Sequence, residues 1–227
     1  MSIWRRIGDA IAALRTGEPL SAVFERLTTP PEFTVGFTIA VIGLGAKMAK
    51  ADGRVTRDEV SAFRRIFVIP AEEERQAARL FDMARTDVAG FDVYAAQVAR
   101  MFRDRPEVLA DLMEGLVYIA MADGVFHPDE SAFLDEVQRI FGLSDATFRQ
   151  IKARHLPDVT DPYEILGASS DMDDKALRCH YRRLVRELHP DRMLSRGIPE
   201  EAQRLAEDRL AAVNEAWDEI CKSRGMT

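Results

Sequence analysis

The chain has 227 residues, 47% hydrophobic and 30% charged, which is the composition of a soluble globular protein and excludes collagen-like or broadly disordered classes. At about 150 residues per domain that length suits one large or two small domains. Acidic residues outnumber basic ones by 38 to 31, a net charge of −7, so the molecule as a whole is not expected to be drawn to nucleic acid or to an anionic membrane. The two cysteines, Cys179 and Cys221, are too few for a disulfide framework or a paired-cysteine zinc cluster, and fit reduced thiols in the cytoplasm.

In chain order the first feature is a helical spacing of Ile3, Trp4, Ile7, Ile11 and Leu14 beside Arg5 and Arg6. An amphipathic helix here is expected to dock on its own domain, with a peripheral contact at the cytoplasmic face of the inner membrane as the alternative. No secretory signal is read, because four arginines interrupt the first 27 residues. The longest apolar run, Phe33 to Ala46, is fourteen residues broken by Thr34, Gly36, Thr38, Gly43 and Gly45. A membrane-spanning helix needs about 20 apolar residues, so this run is expected to be a buried core helix.

The periodicity beyond is helical throughout, and valine, isoleucine and threonine never alternate with polar residues long enough to argue for a strand. The expected fold class is all-α. Helices are expected at 3–14, 20–27, 33–50, 57–68, 71–86, 91–102, 106–122, 129–141, 144–155, 162–167, 173–188 and 200–221. In the stretch from Pro106 to Ala122, Leu109, Leu112, Met113, Leu116, Val117 and Ala120 share one broad face.

An internal repeat organises this part. Residues 49–59 read AKADGRVTRDE and residues 120–130 read AMADGVFHPDE, matching Asp52 with Asp123, Gly53 with Gly124, Asp58 with Asp129 and Glu59 with Glu130. Each copy reads as helix, turn, helix: the glycine permits a left-handed cap and the acidic pair favours the next helix's N-terminus. Thr56 with Glu59 makes a capping box, and Pro128 suits a first helical position. Capping leaves Asp52 and Asp123 unexplained. The six carboxylates could alternatively hold a hard cation, but their spacing does not match a calcium loop, so no metal or other cofactor is expected. The repeat and its ADG turns resemble the TerB-like domain over roughly residues 33–155. That resemblance implies a helical fold and a surface acidic cluster for metal or partners.

After His155 the composition changes. LPDVTDP reads as a linker, 156–160, leading into a helix start at Asp161 and Pro162. There follow DPYEILG at 161–167, a charged amphipathic helix, His189-Pro190-Asp191, and a last helix ending AVNEAWDEI at 212–220. On the amphipathic helix, Leu177, Tyr181, Leu184, Val185 and Leu188 share one arc while Lys175, Arg178, Arg182, Arg183 and Arg186 occupy the other. From Lys175 to Arg192 there are six basic residues against Glu187 and Asp191, a charge of +4 that leaves −11 for the rest of the chain. One sign concentrated in this way suits steering toward an acidic partner. Proline at 190 must stop the helix before it, which exposes His189 and Asp191 on a loop.

This ordered set looks like a J-domain over about residues 160–222. The resemblance implies that His189, Pro190 and Asp191 trigger ATP hydrolysis by a DnaK-type chaperone while Lys175, Arg178, Arg182, Arg183 and Arg186 dock on it. The same tripeptide at His127-Pro128-Asp129 is read as a helix start, because no basic amphipathic helix precedes it. His155 and His180 are read as surface or partly packed side chains.

No nucleophile elbow, phosphate-binding loop or HExxH motif appears, so the chain is not expected to be an enzyme itself. Nucleic-acid binding is not expected either, because only Tyr181 accompanies the arginines and it lies on the apolar side. A TerB-like domain followed by a J-domain is similar to the DjlA family of bacterial co-chaperones. That family carries an N-terminal membrane anchor, and this sequence has no comparable apolar span. Without a Gly/Phe-rich linker or a cysteine-rich zinc module, the TerB-like part is expected to select location or an as yet unspecified partner. The expected architecture is thus an N-terminal helical segment at 1–32, a TerB-like domain at 33–155 with its two-fold repeat, the linker, and a small J-domain helical hairpin at 161–227, in the cytoplasm.

Overall fold

The computed structural model describes residues 7, 32–51, 69, 74, 75, 78, 90–121, 124–155 and 161–226. Among them are nine α-helices and no strand: α1 (Glu32–Ala51), α2 (Phe91–Met101), α3 (Pro106–Ala120), α4 (Pro128–Phe141), α5 (Asp145–His155), α6 (Pro162–Leu166), α7 (Asp174–Glu187), α8 (Pro190–Ser195) and α9 (Gln203–Arg224), with one turn of 3₁₀ helix at Glu200–Ala202 before α9. The expectations at 3–14, 20–27, 57–68 and 71–86, the first ADG turn with Asp52, Asp58 and Glu59, Asp123 of the second, and the linker at 156–160 lie outside the described residues, apart from isolated positions.

The apolar run at 33–46 forms the middle of α1, and every side chain from Val35 to Met48 is buried. A helix apolar all round must be covered on every side. Helices α2, α3 and α4 supply that cover, and Ile7 from the N-terminal segment is also fully buried in this core. Tyr94 of α2 presses on Gly43: a Cβ there would stand 2.5 Å from its ring. Glycine is thus required by contact with a neighbour, not by backbone conformation.

Helix α3 is central. Its Gly115 lies between α1 and α9, where a Cβ would be 3.8 Å from both Val41 and Leu205. Because α9 closes the far side, α3 is buried well beyond its expected apolar face, and Asp111 and Glu114 are buried with it. Gly124 of the second ADG sequence adopts the left-handed conformation that favours glycine, at φ +82°. His127 then caps α4 and Pro128 opens it. The backbone amide of His127 donates to Glu130 Oε2 at 3.1 Å, which explains that buried carboxylate as a cap.

Helices α6, α7 and α9 enclose a second, smaller core of Leu166, Leu177, Leu184, Leu188, Val213, Ala216 and Ile220. Asp161 and Asp173 cap α6 and α7 by accepting from the amides of Tyr163 and Ala176, at 2.9 and 2.8 Å. Tyr181 stacks on Trp217 with ring centres 4.4 Å apart and donates its hydroxyl to Asn214 at 2.9 Å, which fixes α7 against α9. At the far end of α9, Arg224 donates to the Met172 carbonyl at 2.7 Å and to Asp174 at 3.0 Å.

The two cores are joined. Met193, Ile198, Ala202 and Ala206, from the segment following the His-Pro-Asp tripeptide, belong to the larger core with α1 to α5. Helix α6 also packs on α5, where Gln150 Nε2 donates to the Ile165 carbonyl at 3.4 Å. None of the described helices is long and apolar enough to cross a membrane.

Candidate functional site

Helix α7 separates its faces as expected. Leu177, Leu184 and Leu188 are buried, whereas Lys175, Arg182, Arg183 and Arg186 are exposed and Arg178 is half-exposed. The arginines are organised along the helix: Arg186 Nε donates to the Arg182 carbonyl at 3.1 Å, and Arg183 lies 3.9 Å from Glu187. Lys175, Arg182, Arg183 and Arg186 thus carry their charge at the surface.

The chain leaves α7 at Leu188, and His189 turns to an extended conformation, φ −60° and ψ 136°. The expectation of an open loop at 189–191 needs correction. His189 is the N-cap of the short helix α8, with Pro190 at its first position and Asp191 in its first turn. Proline ends α7 and starts α8 for the same reason: its ring fixes φ near the helical value while forbidding helix in the residue before it. The Asp191 amide donates to Nδ1 of His189 at 3.2 Å, and an Asp191 carboxylate oxygen lies 3.6 Å from the same nitrogen. Both side chains face solvent, 52% and 86% exposed. The stretch from Met193 to Pro199 is anchored: Met193 and Ile198 are buried and hold α8 down.

His127-Pro128-Asp129 has nearly the same backbone, with φ −74° and ψ 145° at His127. The tripeptide therefore dictates a helix start in both places. Only at 189 does it adjoin an exposed basic helix.

Beneath the site lies a set of residues that the sequence reading did not join. Asp111 and Glu114 of α3 receive Arg209 of α9, whose Nη1 donates to Asp111 Oδ1 at 2.6 Å and whose Nη2 lies 2.8 Å from Glu114 Oε2. Arg154 and His155 of α5 complete the cluster, each at hydrogen-bond distance from Glu114, 3.0 and 3.1 Å. His155 is thus a buried partner of a carboxylate, packed edge-on to Tyr118. His180 bonds the Leu166 carbonyl at 2.8 Å. Burial works against the charged form of Glu114, but Arg209, Arg154 and the His155 hydrogen bond outweigh it and hold the carboxyl well below its usual range. At Asp111 burial wins over Arg209 and Arg196, and its carboxyl is pushed up. The available signal was two carboxylates three residues apart in the apolar middle of a helix, and an arginine among the apolar positions 205, 206, 213, 216 and 220.

Among the described residues no group of three or more His, Cys, Asp or Glu side chains is placed to hold a metal ion. Asp129 is exposed at the start of α4, while Asp52, Asp58 and Asp123 are outside the described residues.

A helical module whose sequence carries a repeated ADG motif, joined to a hairpin that presents His-Pro-Asp beside a basic helix, defines the class, and comparisons with known proteins agree with it. Residues 38–153 match the family model described as Tellurite resistance protein TerB, and residues 161–224 match the DnaJ domain. The first match covers 116 of 227 residues, and the chain belongs to the TerB family, with a DnaJ domain following in the same chain. Proteins named Co-chaperone protein DjlA are similar to it over most of its length. The one from Haemophilus ducreyi is 26% identical over an alignment of 251 residues, covering 92% of this chain and 85% of that protein. Those from Haemophilus influenzae and Photobacterium profundum are 24% and 27% identical, covering 92% and 86% of this chain and 86% and 78% of their own. No solved structure matches the chain.

Proposed function

We propose that the chain is a J-domain co-chaperone that stimulates ATP hydrolysis by a DnaK-type chaperone and is not itself an enzyme. His189, Pro190 and Asp191 deliver the stimulus, and Lys175, Arg178, Arg182, Arg183 and Arg186 dock on an acidic surface of the partner. The observation that carries this reading is that exposed His189 and Asp191 directly follow the exposed basic face of α7. A charged rim of this kind accelerates encounter, and a charge-assisted contact from Asp191 to a partner arginine supplies local specificity. The DnaJ match and the relatives named as co-chaperones support it. The division at 1–32, 33–155, 156–160 and 161–227 belongs to the same proposal, as does a cytoplasmic location. The TerB-like part selects the location or a second partner.

Single-turnover ATP hydrolysis by a DnaK-type chaperone tests the reading. His189→Gln is expected to abolish stimulation with the fold intact, while His127→Gln, at the same backbone geometry without the basic helix, leaves stimulation unchanged. Equal losses in the two variants, or none in either, overturn the assignment to 189.

A further inference from the structure

Arg196 closes α8, five residues after Asp191. Its guanidinium holds two elements at once. Nη2 donates to the main-chain carbonyl of Glu187, the last residue of α7, at 3.1 Å, and Nη1 lies 3.5 Å from Oδ2 of Asp111 on α3. The Glu187 carbonyl is one of the end carbonyls that a helix cannot satisfy internally and lies at its negative pole, so a cation suits it. Asp111 is 2% exposed and Arg196 19%, which shields the pair from solvent.

The backbone of Arg196 is tied as well. Its amide donates to the carbonyls of Arg192 and Met193, each at 3.1 Å, and its carbonyl accepts from Nη1 of Arg105 at 3.4 Å. Arg105 is the N-cap residue of α3, the helix that carries Asp111. The segment from Glu187 to Arg196, with His189 and Asp191 at its exposed tip, is therefore a closed ring. One side chain grips it before and behind and roots it in α3. A guanidinium can do this because its donors diverge in a rigid plane, which a single ammonium lacks.

We propose that Arg196 is a positioning residue for His189-Pro190-Asp191, through which the TerB-like domain sets the geometry that the tripeptide offers to the DnaK-type chaperone. The proposal rests on the co-chaperone reading above. Arg196 acts by holding the ring; the chemistry stays with the partner.

The test uses the full chain with Arg196→Gln and Arg196→Lys, reading DnaK-type ATP hydrolysis against co-chaperone concentration and hydrogen exchange at the Asp191 amide. For Arg196→Gln, maximal stimulation is expected to fall roughly tenfold with the half-saturating concentration changed by no more than about twofold, as for displacement of a reacting group and not loss of binding. The melting temperature stays close to that of the parent, and the Asp191 amide exchanges faster. Arg196→Lys, which reaches Asp111 or the Glu187 carbonyl but not both, falls between. Unchanged maximal stimulation overturns the proposal, and so does a rise confined to the half-saturating concentration, which makes Arg196 a surface contact. If the unsubstituted chain does not stimulate ATP hydrolysis, the co-chaperone reading fails. The coupling of α3 to the tripeptide is then decided by exchange alone, and equal protection of Asp191 in parent and Arg196→Gln overturns it.

Discussion

Arg209 and Asp111, 98 residues apart in the chain, meet at 2.6 Å with only 2% of either side chain exposed. Opposite charges at that depth are held by mutual compensation, because each is costly to bury alone. The pair also joins the helix at the centre of the larger core to the last helix of the DnaJ domain, so the two parts of the molecule share one interior. The family resemblance leaves open whether the two parts touch, and this contact answers it.

Arg209→Met is expected to lower stability by about 3 to 5 kcal/mol, since it leaves Asp111 and Glu114 short of a cation in a buried site. Urea unfolding of the full chain measures this. Asp111→Asn combined with Arg209→Met should cost less than the sum of the single changes, because the two groups share one interaction. Additive losses contradict the pairing.

Acid should expose Glu114. Its carboxyl is held below the ordinary value of 4.5, so it contributes stability that is present above pH 4.5 and is lost progressively as pH falls below it. Asp111, pushed up by burial, works in the opposite sense: its protonation on acidification removes a buried charge and offsets part of the loss. Glu114→Gln is expected to cost about 3 kcal/mol at neutral pH and to fall off less steeply than the parent below pH 4.5. Urea midpoints of both proteins across that range decide it, and parallel curves count against the assignment.

Gly43→Ala places a Cβ 2.5 Å from the Tyr94 ring, so the ring or the packed helices α1 and α2 must shift to accept it. A loss of about 1 to 3 kcal/mol is expected, with a shift of the Tyr94 environment visible in near-ultraviolet circular dichroism. Tyr94→Leu in the same chain should recover part of it.

Arg182→Glu together with Arg186→Glu reverses two exposed side chains that touch each other's turn of α7 and no buried group that would lose packing. Association with a DnaK-type chaperone is expected to slow by roughly tenfold at low salt and to depend less on salt, with little change in melting temperature. If chaperone association is unchanged while RNA or DNA binding collapses, the basic face belongs to nucleic acid instead.

The sequence by itself determined what depends on neighbours in the chain. Helical periodicity at 3.6 residues marked the described helices other than α8 to within three residues at either end. The apolar run at 33–46 was too short for a membrane and too uniform for a surface, and it became the buried middle of α1. Proline at 190 fixed the end of α7, and the charge pattern on α7 fixed which side meets water. Local rules could not separate an open loop from the first turn of α8, because what holds that turn is the burial of Met193 and Ile198 against another part of the chain. The ionic cluster was beyond reach for the same reason. Asp111 and Glu114 look like the polar edge of an amphipathic helix until α9 covers them, and Arg196 looks like loop charge until its fork is seen spanning Glu187 and Asp111. A side chain's partner across many tens of residues is set by how whole helices pack, and that choice exists only in the folded molecule.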